Sequence, residues 1–221
     1  MQTTFAKGFT LVETLVSTLI ITVVILGPLV VASNASTYAR ITKDTLVATY
    51  LAQESIELLR HQQDSVYIRC IQATASACTP TGNETPQQAA WRLFKARLGS
   101  TPQGASCFDV DNAYGCSYDF IDMTSNQDTN PTKYISNQSN CNTLSLQTST
   151  NLYVCTGAHG GGAGYTLTNY TRSVSVTSIP TYSAGDPSYH DDLRVTVTIT
   201  FKRPNGYTHQ IQVVDFLHAR A

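Results

Sequence analysis

Charged residues are scarce in this chain of 221 residues, where Lys, Arg, Asp and Glu together make up only 13%. The 14 basic and 15 acidic side chains leave a formal net charge of −1. The sequence therefore lacks the overall basic field that holds nucleic acid, although a local basic patch stays open. Ser, Thr, Asn, Gln and Tyr are abundant instead, which is more typical of exported than of cytosolic proteins.

Common enzyme motifs are also missing. The sequence contains no G-x-S-x-G, H-E-x-x-H or G-x-G-x-x-G, which argues against the hydrolase, metalloprotease and dinucleotide-binding classes that carry them. The best acid–base or metal candidate lies in PSYHDD, a string more typical of a loop before a strand, and comprises Asp186, His190, Asp191 and Asp192. A calcium site is a second alternative, although DVDNAYGC lacks the full EF-hand pattern; its candidate ligands are Asp109, Asp111, Asp119 and Asp122. We expect no catalytic residue, no resident metal and no cofactor.

No C-x-x-C pair occurs, which argues against a zinc ribbon or a thiol redox motif. All six cysteines follow the apolar N-terminal segment, and an even number in the part that would be exported favours three disulfides. Six cysteines allow fifteen pairings, and six reduced thiols are the alternative. We favour the sequential pairing, because each bridge closes a short loop of turn-forming residues: Cys70–Cys78, Cys107–Cys116 and Cys141–Cys155.

A long uncharged run lies near the N-terminus. No charged residue occurs from Leu15 to Ala32, a span of about 27 Å as a helix, close to the roughly 30 Å hydrocarbon core of a bilayer. The first eight residues contain Lys7 but no apolar centre, unlike a secretory signal peptide. We expect one membrane-spanning helix, with Lys7 on the cytoplasmic side and the cysteine-rich part exported.

The string KGFTLVE, from Lys7 to Glu13, stands directly before this run. It resembles the class III signal of type IV pilins and of the pseudopilins of type II secretion. In that family a membrane peptidase, the prepilin peptidase, cuts after the glycine and methylates the new amino terminus. The resemblance implies a leader of residues 1–8, cleavage between Gly8 and Phe9, and an N-methylated phenylalanine at Phe9.

Glu13 is the one carboxylate beside the apolar run. A charge at the bilayer centre costs about 2.5–3.5 kcal/mol on insertion scales, less near the interface, and normally needs a partner. The resemblance implies that partner: the α-amino group of Phe9 on a neighbouring subunit, which would fix the axial register between helices. The alternative is a plain signal anchor with Glu13 at the headgroup level.

Helical character continues well past the apolar run, because no glycine or proline occurs between Leu29 and Thr79. One helix is predicted from about Phe9 to about Gln62, with a transmembrane or assembly half at 9–32 and an outer half at 33–62. Gly27 and Pro28 predict a kink or a locally unwound turn, and in pilins a helix breaker at about this depth melts on assembly. The outer half carries one apolar stripe that can pack on a sheet: Val47, Ala48, Leu51, Ala52, Leu58 and Leu59.

Residues 63–221 form the predicted globular domain, interrupted by a loop-rich insert at about 65–164. Thr85 to Leu98 predict a short amphipathic helix with Pro86 in its first turn. In the long helix, Glu54, Glu57 and Arg60 have the spacing of a solvated face with i,i+3 contacts, which we favour over a catalytic cluster.

The last fifty residues have the alternation of β-strands, at 172–179, 193–202 and 207–217, with a Pro-Asn-Gly turn before the last strand. Val195, Val197 and Ile199 share one face, which can cover the stripe of the long helix. The predicted fold class is α+β: a long N-terminal helix packed on a C-terminal antiparallel sheet, with a disulfide-stapled insert. This order of elements is similar to that of minor pilins and minor pseudopilins.

The resemblance implies a structural role and no enzyme activity. We expect a minor subunit of a type IV pilus, anchored once in the bacterial inner membrane with its globular domain periplasmic or extracellular, and later built into the filament. The implied partners are other pilin subunits and the prepilin peptidase. A minor pseudopilin of a type II secretion system is the first alternative. A pilus-borne adhesin or DNA-binding module is the second, with its surface ligand unidentified.

Overall fold

The computed structural model describes residues 8, 10–72, 78–99, 106–108, 116–118, 135–137, 143–155, 163–180, 191–203 and 206–219. The chain divides into two compact units, Met1–Thr45 and Leu46–Ala221. The described residues form two helices, α1 (Leu11–Ile71) and α2 (Pro86–Gly99), and the strands β1 (Cys116–Tyr118), β2 (Ile135–Asn137), β3 (Leu144–Gln147), β4 (Tyr153–Cys155), β5 (Tyr165–Leu167), β6 (Tyr170–Pro180), β7 (Asp191–Lys202) and β8 (Thr208–Leu217).

Helix α1 ends at Ile71, nine residues beyond the predicted end at Gln62. The reason is that the buried stripe does not stop there. Gln63, Val66 and Cys70 follow at helical spacing and are all buried, so packing favours another two turns. The sequence has no glycine or proline in this stretch to oppose them.

Helix α2 begins with a capping box. Thr85 Oγ1 accepts a hydrogen bond from the Gln88 N–H at 3.2 Å, and the Thr85 N–H donates to Gln88 Oε1 at 2.8 Å. Pro86 occupies the first helical position, where its missing N–H costs nothing. The predicted helix is therefore present with its predicted start.

Two antiparallel sheets form in the second unit. The larger has the strand order β2-β1-β6-β7-β8, and the smaller has the order β4-β3-β5. β6, β7 and β8 begin and end within two residues of the predicted strands. The strands of three or four residues inside the insert carry too short a pattern to be read from sequence, and two of them, β1 and β2, extend the predicted sheet.

One hydrophobic core occupies the second unit. The inner face of β7 buries every second residue, as its alternation predicts. The core joins that face to α1, α2 and β6; its larger members include Leu51, Ile56, Leu59, Phe94, Leu98, Val174, Leu193, Val195, Ile199 and Phe201. A helix face packed on an antiparallel sheet confirms the α+β class.

The turn between β7 and β8 depends on Gly206. This residue has φ of 85°, which glycine adopts without a steric cost. Its N–H donates to the carbonyl of Arg203 at 2.9 Å, and the Arg203 N–H donates to the carbonyl of Tyr207 at 2.9 Å. The turn is closed at the predicted place, while Pro204 and Asn205 lie outside the described residues.

Two of the three sequential disulfides are present. Cys70 is bonded to Cys78 with a Cα–Cα distance of 5.2 Å, and Cys107 to Cys116 with one of 4.8 Å. Cys155 is also disulfide-bonded, but its predicted partner Cys141 lies outside the described residues. Cys70 stands in the last turn of α1, so the first bridge ties the end of that helix to the segment leading into α2.

Candidate functional site

The start of α1 is built around Thr10. Its Oγ1 accepts a hydrogen bond from the Glu13 N–H at 3.3 Å, and its carbonyl accepts one from the Thr14 N–H at 3.2 Å. Thr10 is therefore the N-cap, and the residues TLVE form the sequence of a capping box. This role of Thr10 is not among the predictions above, although Thr-x-x-Glu directly before an apolar run is the usual sequence signal for an N-cap.

Glu13 lies in the first turn of α1 and is exposed. A carboxylate there interacts favourably with the partial positive charge of the helix N-terminus. Gly8 is exposed as well, and Phe9 lies outside the described residues, as does Lys7. The structure thus places the predicted cleavage glycine and the predicted register charge on either side of a helix cap.

The apolar side chains in the N-terminal segment of α1 are exposed. The fourteen large apolar side chains between Leu11 and Val31 are each 51–76% exposed, and no residue of the most hydrophobic 18-residue window is buried. A buried core helix of a soluble protein would show the opposite. The helix is long and apolar enough to cross a membrane.

Threonines within this segment satisfy their own hydroxyls. Thr14, Thr18 and Thr22 donate to the carbonyls of Leu11, Leu15 and Leu19 at 2.8, 2.9 and 2.8 Å. Such back-bonding removes the need for an outside partner in an apolar environment. Between Glu13 and Arg40 the sequence has no charged residue, so Glu13 is the one charge that the segment must accommodate.

The helix continues without interruption through Gly27 and Pro28. The locally unwound turn expected there is therefore not formed in this single chain. Pro28 has no N–H, so the carbonyl of Val24 receives no helical hydrogen bond from it. A Cβ at Gly27 would meet nothing within 4 Å, so no packing contact requires glycine at this position. Melting on assembly concerns the filament and stays a prediction.

Charged side chains of the outer part of α1 form ion pairs with residues of the sheet, contacts that no local sequence pattern predicts. Arg60 contacts Glu57 at 2.9 Å, the expected i,i+3 contact. Its Nε and Nη2 also donate to the two carboxylate oxygens of Asp215 on β8, each at 3.1 Å. A two-pronged guanidinium–carboxylate contact fixes orientation as well as distance, so this pair registers α1 against β8.

Arg172 on β6 makes a second helix-to-sheet contact. Its side chain is fully buried, and Nη1 lies 3.8 Å from Oε1 of Glu54 on α1. The sequence indicates this site, because Arg172 is two residues from both Tyr170 and Val174 and therefore lies on the same, buried face of β6. A charge on the core face of a strand requires a partner of opposite charge.

The candidate acid group near β7 is only partly described, since Asp186 and His190 lie outside the described residues. Asp191 Oδ2 contacts Lys95 Nζ at 3.1 Å, and its carbonyl accepts the Trp91 indole N–H at 3.1 Å. Asp192 Oδ2 lies 3.0 Å from His218 Nδ1. These contacts fasten α2 and the end of the chain to β7. Within the described part, no three metal-binding side chains meet.

The four candidate calcium ligands, Asp109, Asp111, Asp119 and Asp122, also lie outside the described residues. One open depression of about 280 Å³ lies beside β8. Two of its polar side chains are engaged, Arg60 with Asp215 and Gln63 with the His218 carbonyl at 2.8 Å. The side chains of Arg60 and Gln63 thus make structural contacts within the chain.

A separate ion pair orders the segment before α2. The Glu84 carboxylate accepts hydrogen bonds from Arg92 Nε at 2.9 Å, from the Thr81 N–H at 3.0 Å and from the Thr81 hydroxyl at 3.0 Å. These donors, Arg92 first, lower the pKa of Glu84 from its usual 4.5 to about 2. In turn Glu84 raises the pKa of Arg92.

Two features thus distinguish this molecule. One is a helix whose apolar side chains are exposed and whose first turn carries a single acid, Glu13. The other is a packed α+β unit that is held together by disulfides and ion pairs. No family model matches the chain, and no curated protein or solved structure matches it either.

Proposed function

We propose that this chain is a minor structural subunit of a type IV pilus, cut after Gly8, anchored once in the inner membrane and then built into the filament through α1. The observation that carries the proposal is the exposed apolar segment of α1. This segment begins at the N-cap Thr10 and carries a single acid, Glu13, in its first turn. The resemblance of KGFTLVE to the class III signal supports the same assignment.

The exposed apolar area requires a non-aqueous partner. Full burial of a Val, Leu or Ile side chain is worth about 1.5–3 kcal/mol, so fourteen of them represent on the order of 20 kcal/mol or more. Contiguous apolar surface of this extent is rare on soluble monomers. A bilayer before assembly and neighbouring α1 helices after it both satisfy this requirement.

Glu13 explains why the subunit would leave the bilayer for the filament. Its insertion costs up to about 2.5–3.5 kcal/mol. An ion pair at about 4 Å in an effective dielectric of about 20 contributes about 4 kcal/mol. A neighbouring Phe9 α-amino group would therefore offset the cost of burying Glu13 and select one axial register.

Two substitutions separate the charge of Glu13 from its capping position. Gln also suits the last position of a capping box, so Glu13→Gln removes only the charge, whereas Glu13→Ala removes the charge and the side chain that can complete the box; the backbone N–H that donates to Thr10 is kept in both variants. We expect both variants to be cleaved normally and both to be depleted at least about tenfold from sheared filaments, the loss expected for about 1.4 kcal/mol per subunit. Immunoblots of membrane and sheared fractions measure this ratio.

The control is Thr10→Ala, which weakens the cap and leaves the carboxylate in place. We expect this variant to enter filaments nearly as well as the wild type. If Glu13→Gln assembles normally while Glu13→Ala does not, Glu13 acts through the helix start and the charge-pairing proposal fails.

A minor pseudopilin of a type II secretion system is the second candidate, because it would use the same helix, charge and cleavage site. Deletion of the chain distinguishes the two. Loss of surface pili with intact exoprotein secretion supports the pilus, and the reverse supports the secretion machine. The adhesin or DNA-binding alternative depends on the insert, most of which lies outside the described residues.

A further inference from the structure

Strand β8 is an edge strand of the larger sheet in the part of the chain that the structure describes. It ends the larger sheet, and among the described residues no strand pairs with its outer side and no backbone hydrogen bond is made there. The strand is ten residues long and contains no proline, lysine or glycine. Natural sheets usually protect such an edge with a charge, a proline or a bulge, because its free N–H and C=O groups accept another strand.

The usual protection is missing on both faces of β8. The exposed face carries uncharged side chains, and Val214 and Phe216 on it are each about half exposed. On the inner face the one acid, Asp215, is neutralised by Arg60. The edge therefore presents a row of backbone groups with little electrostatic resistance to a partner strand.

We propose that this edge binds β8 of a second copy, antiparallel, with Gln212 opposite Gln212 of the partner. This goes beyond the proposed pilus role, since it assigns a pairwise contact to the sheet and does not involve α1. Antiparallel pairing of a strand with its own copy is two-fold symmetric, and the axis would pass between the two Gln212 residues.

The order of side chains along β8 favours this register. On the inner face it sets Ile211 opposite the partner's Val213, an apolar pair. It also sets the His209 imidazole opposite the carboxylate of the partner's Asp215, a donor opposite an acceptor. Every position from Thr208 to Phe216 then has a counterpart.

The neighbouring registers of the β8–β8 pair are less complementary. Because side chains alternate between faces, only shifts that keep both inner faces together are allowed. The next register in one direction places Asp215 opposite the apolar Ile211, and the next in the other direction places His209 opposite Val213. Both lose the complementary pair, so the register centred on Gln212 is the one that self-recognition selects.

Charged substitutions of Gln212, the residue beside the two-fold axis, test the register. Gln212 is exposed, so a charge there is tolerated by the fold. In Gln212→Lys two ammonium groups would face each other, and in Gln212→Glu two carboxylates would. We expect either variant alone to raise the dissociation constant of the dimer about two- to fivefold, and a mixture of the two to restore it.

The measurement is co-purification of two differently tagged copies of the full chain in detergent micelles. The matched control is Gln210→Lys mixed with Gln210→Glu, because position 210 faces Val214 of the partner and not its own copy. Rescue by the Gln212 pair and none by the Gln210 pair supports the proposal. It is overturned if wild-type copies do not co-purify, if single Gln212 variants associate as well as the wild type, or if the Gln212 mixture gains nothing.

Discussion

Single residues cap the two helices and join α1 to the sheet. Thr10 caps α1, Thr85 caps α2, and Arg60 and Arg172 bind acids across the helix–sheet boundary. The two caps follow from local Thr-x-x-Glu and Thr-x-x-Gln spacing and could be read from sequence. The long-range pair of Arg60 with Asp215 has no local signal, because the two residues are 155 positions apart.

Glu84 gives a pH-dependent prediction at this scale. Its pKa is about 2 in the fold and 4.5 without it, so its carboxylate stabilises the folded state fully above about pH 4.5 and progressively less as the pH falls towards 2. We expect Glu84→Gln to lower the melting temperature at pH 6 and to match the wild type near pH 2. Circular dichroism of both full-length proteins across this range measures the difference.

Arg92→Met provides the control, because it removes the largest cause of the pKa shift. In that background the pH-dependent difference between Glu and Gln at position 84 should shrink markedly. A difference of unchanged size would show that Arg92 is not its source.

At the scale of elements, the sequence predicts α2 and the three long strands at their observed places but ends α1 too early. α2 and the strands β6, β7 and β8 follow their predicted positions because each carries several periods of alternation or of helical spacing. β1, β2, β4 and β5 have three residues each, too few to show a period, so their places depend on the strands with which they pair. The extension of α1 to Ile71 was missed because buried Gln63 looks like a surface residue in sequence.

The Gly27-Pro28 pair gives the prediction for α1 as an element. Gly and Pro are about 1 and 3 kcal/mol less favourable than Ala inside a helix, so the double variant Gly27→Ala with Pro28→Ala resists opening by about 4 kcal/mol. If α1 opens here during assembly, this variant should be cleaved normally and accumulate in the membrane fraction. Quantitative immunoblots of sheared filaments measure the shortfall.

Val24→Ala serves as the matched control, since it shortens one exposed apolar side chain nearby without changing the breaker. It should enter filaments at close to the wild-type level. Normal assembly of the double alanine variant would show that α1 stays helical through this point in the filament.

At the scale of the whole molecule, the two compact units differ in the exposure of their apolar side chains. The N-terminal unit exposes its apolar side chains, whereas the second unit buries most of its own in a core held by disulfides. The sequence indicates this contrast through one uncharged run and the positions of six cysteines, although the observed boundary at Thr45 falls inside the predicted outer half at 33–62. It could not predict which loops the insert forms, because Asn-, Ser- and Gly-rich segments carry no period.

The central claim, that this chain is processed and assembled as a pilin-like subunit, is tested most directly by its intact mass after expression with a prepilin peptidase. The account predicts a mature chain that begins at Phe9 with one added methyl group, and an uncleaved chain for Gly8→Leu. Gly8 is exposed and a Cβ there meets nothing within 4 Å, so that variant should not disturb the fold. A wild-type chain that keeps residues 1–8 beside an active peptidase, or a Gly8→Leu chain cut like the wild type, would contradict the account.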